Sequence, residues 1–243
     1  SSDLKIPVPQ FEWKEEDMEY MMCFFPWIGG VIGMFFFGWA VLCEKFAVGN
    51  VCYALIGAAI PLMISGGFHV DGYMDTMDAF HSYQSREKKL EILKDSHIGA
   101  FAAIMLALYY MIDIAAISEI HTQKAVSAVA AVFFLARCFS GIAVMTLQPA
   151  KKEGLLYTFA SSAQKVRVKA ALYFQAALCV VLMLFVSGWY GAAAIGAALL
   201  SFFYFKKKSY KELGGITGDT AGFFVTVCEA AAAAAVAVAG YFL

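Results

Sequence analysis

Seven stretches of about 20 residues carry almost no charge, and this pattern limits the fold more than any other feature of the chain. A helix rises about 1.5 Å per residue and the hydrocarbon core of a bilayer is about 30 Å thick, so about 20 apolar residues make one crossing. The runs are Tyr20–Cys43, Ala47–Phe68, Ile98–Ser118, Ala125–Ala150, Ala170–Ser187, Trp189–Phe205 and Thr220–Leu243. The fifth and sixth come from dividing one uncharged run, 170–205, at Ser187-Gly188-Trp189, because a single helix of that length outruns the bilayer. Composition agrees, with 61% hydrophobic and 15% charged residues. The expectation is an all-α, polytopic transmembrane bundle of about seven spans forming one domain over 1–243. No secretory leader is read ahead of the first run, so the spans are expected to direct insertion.

Charge placement orients the bundle. Alternating the spans puts the 1–19 segment and the loops near 69–97, 151–169 and 206–219 on one side. That side collects 15 of the 18 lysines and arginines, leaving Lys45 and Lys124 opposite and Arg137 inside the fourth run. Basic residues in short loops stay in the cytoplasm, so this side, with the N-terminus, is expected inside. The net charge of −1 gives no reason to expect a nucleic-acid partner. The six cysteines are scattered without a CxxC pair and read as packing residues. The alanines 230–235 read as a close-packing helix surface.

Three acidic segments fall on the basic side. In Gly66–Asp78, GGFHVDGYMDTMD, the residues Asp71, Asp75 and Asp78 stand at i, i+4 and i+7, one face of a helix. Like charges at that spacing repel, and a hard divalent cation that accepts oxygen ligands is the natural counter-charge. Mg2+ suits best, since it takes one or two carboxylates and completes its shell with water and phosphate oxygens. The bland alternative is a solvated helix end whose acids happen to align. Asp95, in KDSHIG, could be a helix N-cap. Asp219, in GGITGDT with Thr217, opens the last span on a glycine-rich turn that is not a P-loop. Taken together, the five aspartates read as a pool of metal ligands or catalytic carboxylates on one membrane face.

Among the other polar residues, His69 beside Asp71 reads as a substrate contact. Arg86 and Lys94 are candidates for phosphate, Arg86 because its planar fork makes two hydrogen bonds at once. Arg137 and Glu229 are costly inside a bilayer and lie at similar depth, so they form an internal ion pair or line a substrate cavity. Asp113 is expected near the outer interface. Zinc is not expected, because paired-histidine spacing is absent.

Ile6-Pro7-Val8-Pro9, Phe24-Phe25-Pro26-Trp27-Ile28-Gly29, GGFHVDGYMDTMDAF followed by Arg86-Glu87, KDSHIGAF, Arg137 and GGITGDTAGF resemble, in that order, the cobalamin synthase (adenosylcobinamide-GDP ribazoletransferase) family. Ala79 and Ala102 depart from it, standing where glycine is common. The resemblance implies the last joining step of the cobalamin nucleotide loop. A hydroxyl of α-ribazole, or of its 5'-phosphate, attacks the phosphorus nearest the cobinamide of adenosylcobinamide-GDP, and GMP leaves. It leaves open whether the chain oligomerises or gathers other late enzymes of that pathway on its basic face. Two rival readings remain. A CDP-alcohol phosphotransferase also uses an Asp-rich helix but carries DGxxAR, whereas Asp71-Gly72 is followed here by Tyr73-Met74-Asp75-Thr76. An ion transporter predicts two related halves with broken helices, which the sequence does not show.

Overall fold

A computed structural model of the chain describes residues 20–95, 97–151, 156 and 164–242. The 1–19 segment, expected on the cytoplasmic side, lies outside these residues, as do 152–155 and 157–163 of the basic loop. The described residues are helical apart from turns and one isolated bridge, Pro149 with Ile216. In chain order the helices are α1 Met21–Lys45, α2 Asn50–Ser65, α3 Phe68–His81, α4 Arg86–Ile92, α5 Ala100–Ile117, α6 Gln123–Thr146, α7 Lys165–Ser187, α8 Trp189–Leu213 and α9 Gly218–Gly240.

The connections collect at two ends of the bundle. At one end the Lys89 ammonium pairs with Glu212, Lys151 Nζ donates to the Leu90 carbonyl at 2.9 Å, and Ala150 N donates to Ile216 O at 2.8 Å. At the other, Tyr53 Oη donates to Ile120 O at 2.6 Å, Asn50 Nδ2 to Ser118 O at 3.1 Å, and Tyr241 Oη to Glu119 Oε2 at 2.9 Å. Helices α1, α2 and α5 to α9 therefore pass from end to end in alternation, in the order the sequence predicts. The division at Ser187-Gly188-Trp189 is a real turn. Gly188 has φ +56°, a left-handed conformation that glycine adopts without a Cβ penalty, and α8 folds back along α7.

Among the described residues, five helices (α1, α5, α6, α7 and α9) are long and apolar enough to cross a membrane alone. The second predicted run is shorter than expected. Its helix α2 has 16 residues, roughly 24 Å, and is followed by a 97° bend into α3. Gly66 and Gly67, with φ of +64° and +82°, make that bend. The sixth predicted run is a 25-residue helix whose last turns carry Lys206, Lys207, Lys208 and Lys211, which dilute its apolar character.

The centre belongs to α6 and α9, whose most apolar windows are 78% and 72% buried, against 28–33% for α1, α5 and α7. The outer helices turn Met34, Phe35, Phe174 and Phe185 outward, as surfaces facing lipid require. Helix α1 lies on α6 through Gly29 and Gly33, where a Cβ would stand 2.0 and 2.2 Å from the carbonyl oxygens of Phe133 and Ala130. Small residues four apart let two backbones meet when dispersion rather than water drives association. On α9, Ala230, Ala232 and Ala233 are buried in the same manner. All six cysteines are free thiols, four of them buried.

Arg137 of α6 and Glu229 of α9 form an ion pair at 2.7 Å between these central helices, and Arg137 Nη1 also donates to Phe133 O at 2.7 Å. Asp113, expected near the outer interface, is 6% exposed and shares a small internal void with Glu229 and Tyr109. A carboxylate inside the bundle escapes lipid only by facing other polar groups.

Two outcomes are expected. Cysteines introduced at Gln84 and Thr122 should react with an impermeant maleimide from opposite sides of a sealed vesicle; reaction from one side overturns the alternation. Glu229→Gln should lower stability by about 3–5 kcal/mol, because an unpaired guanidinium stays buried, and Arg137→Met with Glu229→Leu should recover most of it. Unfolding midpoints in detergent measure both; a double variant as unstable as the single one assigns the pair another role.

Candidate active site

The bend at Gly66-Gly67 lays α3 across the start of α9 instead of letting it continue α2. The two backbones almost touch there. A Cβ on Gly72 would stand 2.8 Å from the Asp219 carbonyl oxygen, and one on Gly222 would stand 3.1 Å from that of His69. Thr226 Oγ1 of α9 adds a hydrogen bond to His69 O at 3.2 Å. Tyr73 and Phe80 of α3 complete the crossing against Phe223, stacked and edge-on respectively.

The crossing brings together carboxylates that are far apart in sequence. Asp71, Asp75 and Asp78 do lie along one face of α3, and Asp219 sits beside Gly72. Burial, and then the neighbouring charges of Asp71, Asp219 and Asp78, push the Asp75 carboxyl up to about 6. This group lies on α3, beyond the second crossing. Asp219 is held by a capping box: Thr217 Oγ1 accepts from Thr220 N at 3.2 Å, and Thr220 Oγ1 accepts from Thr217 N at 2.8 Å. Thr217 Oγ1 also lies 3.3 Å from Asp219 Oδ2.

Asp78 is engaged differently. Its Oδ2 accepts from Gly99 N at 2.7 Å and its Oδ1 from Ala102 N at 2.9 Å, so it caps α5 from the neighbouring helix. A Cβ on Gly99 would fall 2.5 Å from that carboxylate, which gives the glycine its place in KDSHIG. Asp95 turns to its own loop, accepting from His97 N at 3.0 Å and lying 2.6 Å from His97 Nδ1.

A cavity of about 960 Å³ opens beside the crossing, lined by Asp71, Asp219, Thr217, His69 and Lys94 among the expected site residues. The remaining candidates stand away from it. The Arg86 guanidinium packs on Gly214, at a spot a Cβ would enter at 2.2 Å. Arg137 and Glu229 are joined to each other in the core, and neither lines this cavity. Besides Lys94, Lys151 lines it. That lysine had only the look of an orienting charge in the sequence, since its approach to the site is made by the bridge of 148–150 to Ile216.

Among the described residues no three Asp, Glu, His or Cys side chains converge enough to hold a metal unaided. Asp71, Asp75 and Asp219 do fit a hard cation that takes part of its shell from a phosphate, because they offer only oxygen and repel one another without a counter-charge. Asp78, with both oxygens already engaged by amides, fits that role less well.

A sequence model of the family described as Cobalamin-5-phosphate synthase matches residues 5–237. A protein of Lachnoclostridium phytofermentans named adenosylcobinamide-GDP ribazoletransferase is 43% identical, over 97% of this chain and 90% of the relative. Proteins of the same name from Clostridium botulinum and Azorhizobium caulinodans are 31% and 29% identical, covering 92% and 93% of this chain and 89% of each relative. No solved structure matches the chain. An all-helical bundle with its acidic motifs gathered at one end, matched along nearly its whole length, belongs to the cobalamin-5-phosphate synthase family.

Proposed function

We propose that this chain joins the two halves of a cobamide. A hydroxyl of α-ribazole, or of its 5'-phosphate, attacks the phosphorus nearest the cobinamide in adenosylcobinamide-GDP. The new phosphorus–oxygen bond forms as the diphosphate bridge breaks, GMP departs, and the product is adenosylcobalamin or its 5'-phosphate. The observation that carries this reading is the α3–α9 crossing, which sets Asp71 and Asp219 in the wall of a cavity that two lysines also line, with Asp75 one turn along α3 from Asp71. Family membership and relatives named for this transfer support it.

Displacement at a diphosphate asks a protein for positioning and charge rather than covalent chemistry. Lys94 and Lys151 are placed to bind diphosphate oxygens from the cavity wall. Asp71 and Asp219, with Asp75 one turn away on α3, would hold a Mg2+ completed by water and substrate oxygens, and the ion would supply charge neutralisation to the phosphates. One carboxylate of this set, Asp71 or Asp75, takes the proton of the attacking hydroxyl. Thr217 keeps the Asp219 carboxylate aimed through its hydroxyl contact. Asp78 holds α5 against α3 and so fixes the acidic face. This end carries the basic loops and is assigned to the cytoplasmic side of the cell membrane, where a nucleotide-activated substrate is available.

Protein reconstituted in lipid should release GMP from adenosylcobinamide-GDP only when α-ribazole and magnesium are both present, and chelation should abolish release. Asp75→Asn should lower kcat at least about 100-fold while the protein stays folded, the range expected when a charge-stabilising or proton-transferring group is lost. Near-normal turnover in Asp71→Ala, Asp75→Ala and Asp219→Ala alike overturns the metal and acid–base assignment.

The Asp75 carboxyl predicts a pH dependence. With its pKa raised to about 6, it is mostly protonated below that pH, and the proton competes with a cation for the carboxylate, so magnesium affinity should rise as pH climbs through about 6. Without divalent ions, the same raised pKa stabilises the folded state at low pH and is lost as pH rises through about 6. Titration calorimetry and melting curves at pH 5 and 7 test this; magnesium affinity independent of pH in that window refutes the role given to Asp75.

A further inference from the structure

We propose that the apolar chamber of the 960 Å³ cavity is the pocket for the heteroaromatic base of the acceptor, not for guanine or the corrin ring. This inference rests on the transferase reading above and assigns one substrate to one part of the site. The cavity is amphipathic. Asp71, Asp219, Lys94 and Lys151 line it together with the apolar Met22, Phe25, Phe68, Val144, Leu156 and Ile216. His69 also lines it, its ring 5.7 Å from that of Phe25 and 5.8 Å from that of Phe68.

Three physical arguments select the occupant. The first is size: the volume lies at the upper end of the ~300–1,000 Å³ typical of pockets that enclose drug-sized ligands. A nucleoside with a bicyclic base fits, and a corrinoid carrying a nucleotide does not. The second is polarity: guanine presents several donors and acceptors on its edge, and a wall of Phe, Met, Val and Leu would leave them unsatisfied. A benzimidazole-type base joined to ribose has no N–H or carbonyl to strand. The third is register: with the base stacked on the Phe25–His69–Phe68 array, the sugar points toward Asp71 and Asp219, where its hydroxyl must meet the phosphorus. The charged side chains then match the phosphates and ribose, and the apolar lining matches the base.

The test is the KM of each substrate separately, in the lipid-reconstituted protein. Phe25→Ala should raise KM for α-ribazole on the order of tenfold, the usual loss for removing one aromatic face from a stacked base, and leave KM for adenosylcobinamide-GDP within about twofold. That unchanged second KM also shows that the variant is folded. In addition, Phe25→Ala should accept a ribazole analogue with a bulkier base better relative to α-ribazole than the unaltered protein does. Trp27→Ala, on the outer face of α1 against Phe134, serves as a control with neither effect. A rise in KM for adenosylcobinamide-GDP alone puts guanine or the corrinoid in the chamber and overturns the proposal. So does an equal rise for both substrates, or no change in preference among bases. If the unaltered protein joins nothing, it is the transferase reading itself that fails.

Discussion

The approach of α3 to α9 is the contact on which the rest of this structure depends. Two helices meet this closely only where neither carries a side chain at the crossing, and Gly72 and Gly222 satisfy that condition from opposite sides. Burial at the contact, and then repulsion among the carboxylates on either side of it, raise the Asp75 pKa to about 6. The fold therefore maintains an unfavourable concentration of negative charge at one end of the bundle. Its cost is offset by apolar packing of Tyr73, Phe80 and Phe223 around the crossing and, in the proposed function, by a divalent cation.

The surrounding bundle keeps that end rigid by placing few polar groups where lipid would reach them. Arg137 and Glu229 join the two central helices by charge, while α1 is joined to α6 by the absence of side chains at Gly29 and Gly33. On the basic face a second set of ties works outside the hydrocarbon. Lys89 and Lys208 share Glu212, and Arg86 packs on Gly214, so the short helix α4 is fastened to the end of α8 just before the turn that delivers Thr217 and Asp219. The Pro149–Ile216 bridge fastens the same turn to the end of α6 and carries Lys151 into the cavity wall. Basic residues that resemble simple orientation signals are thus also the struts of the site.

Legibility of the sequence differed by interaction range. The Asp71, Asp75 and Asp78 stripe could be read because helical spacing is local, and α3 is a helix over that segment. The turn at Ser187-Gly188-Trp189 could be read because bilayer thickness sets a ceiling on helix length, and the alternation of basic loops required a turn there. Depth suggested that Arg137 and Glu229 either pair or line a substrate cavity, and the structure decides for the pair. The burial of Asp113 beside Glu229 was not legible, because position along a helix says nothing about which way the side chain faces; it depends on three other helices. Lys151 escaped notice for a similar reason, its function resting on a bridge between segments far apart in the chain.

By itself, the sequence determined that the chain crosses a membrane about seven times, that its acidic motifs share the basic side, and which family it resembles. These properties follow from hydrophobic length, charge asymmetry and residue spacing, all of which act within one segment or on the bilayer as a whole. Only the tertiary structure decided that α3 bends away from α2 to lie across α9, that Asp78 is a cap while Asp71 and Asp219 face a cavity, and that apolar side chains make up most of this cavity's lining. Those outcomes depend on which backbones can touch. Contact between helices is fixed by side-chain shape at crossings distant in sequence, and no local pattern encodes it.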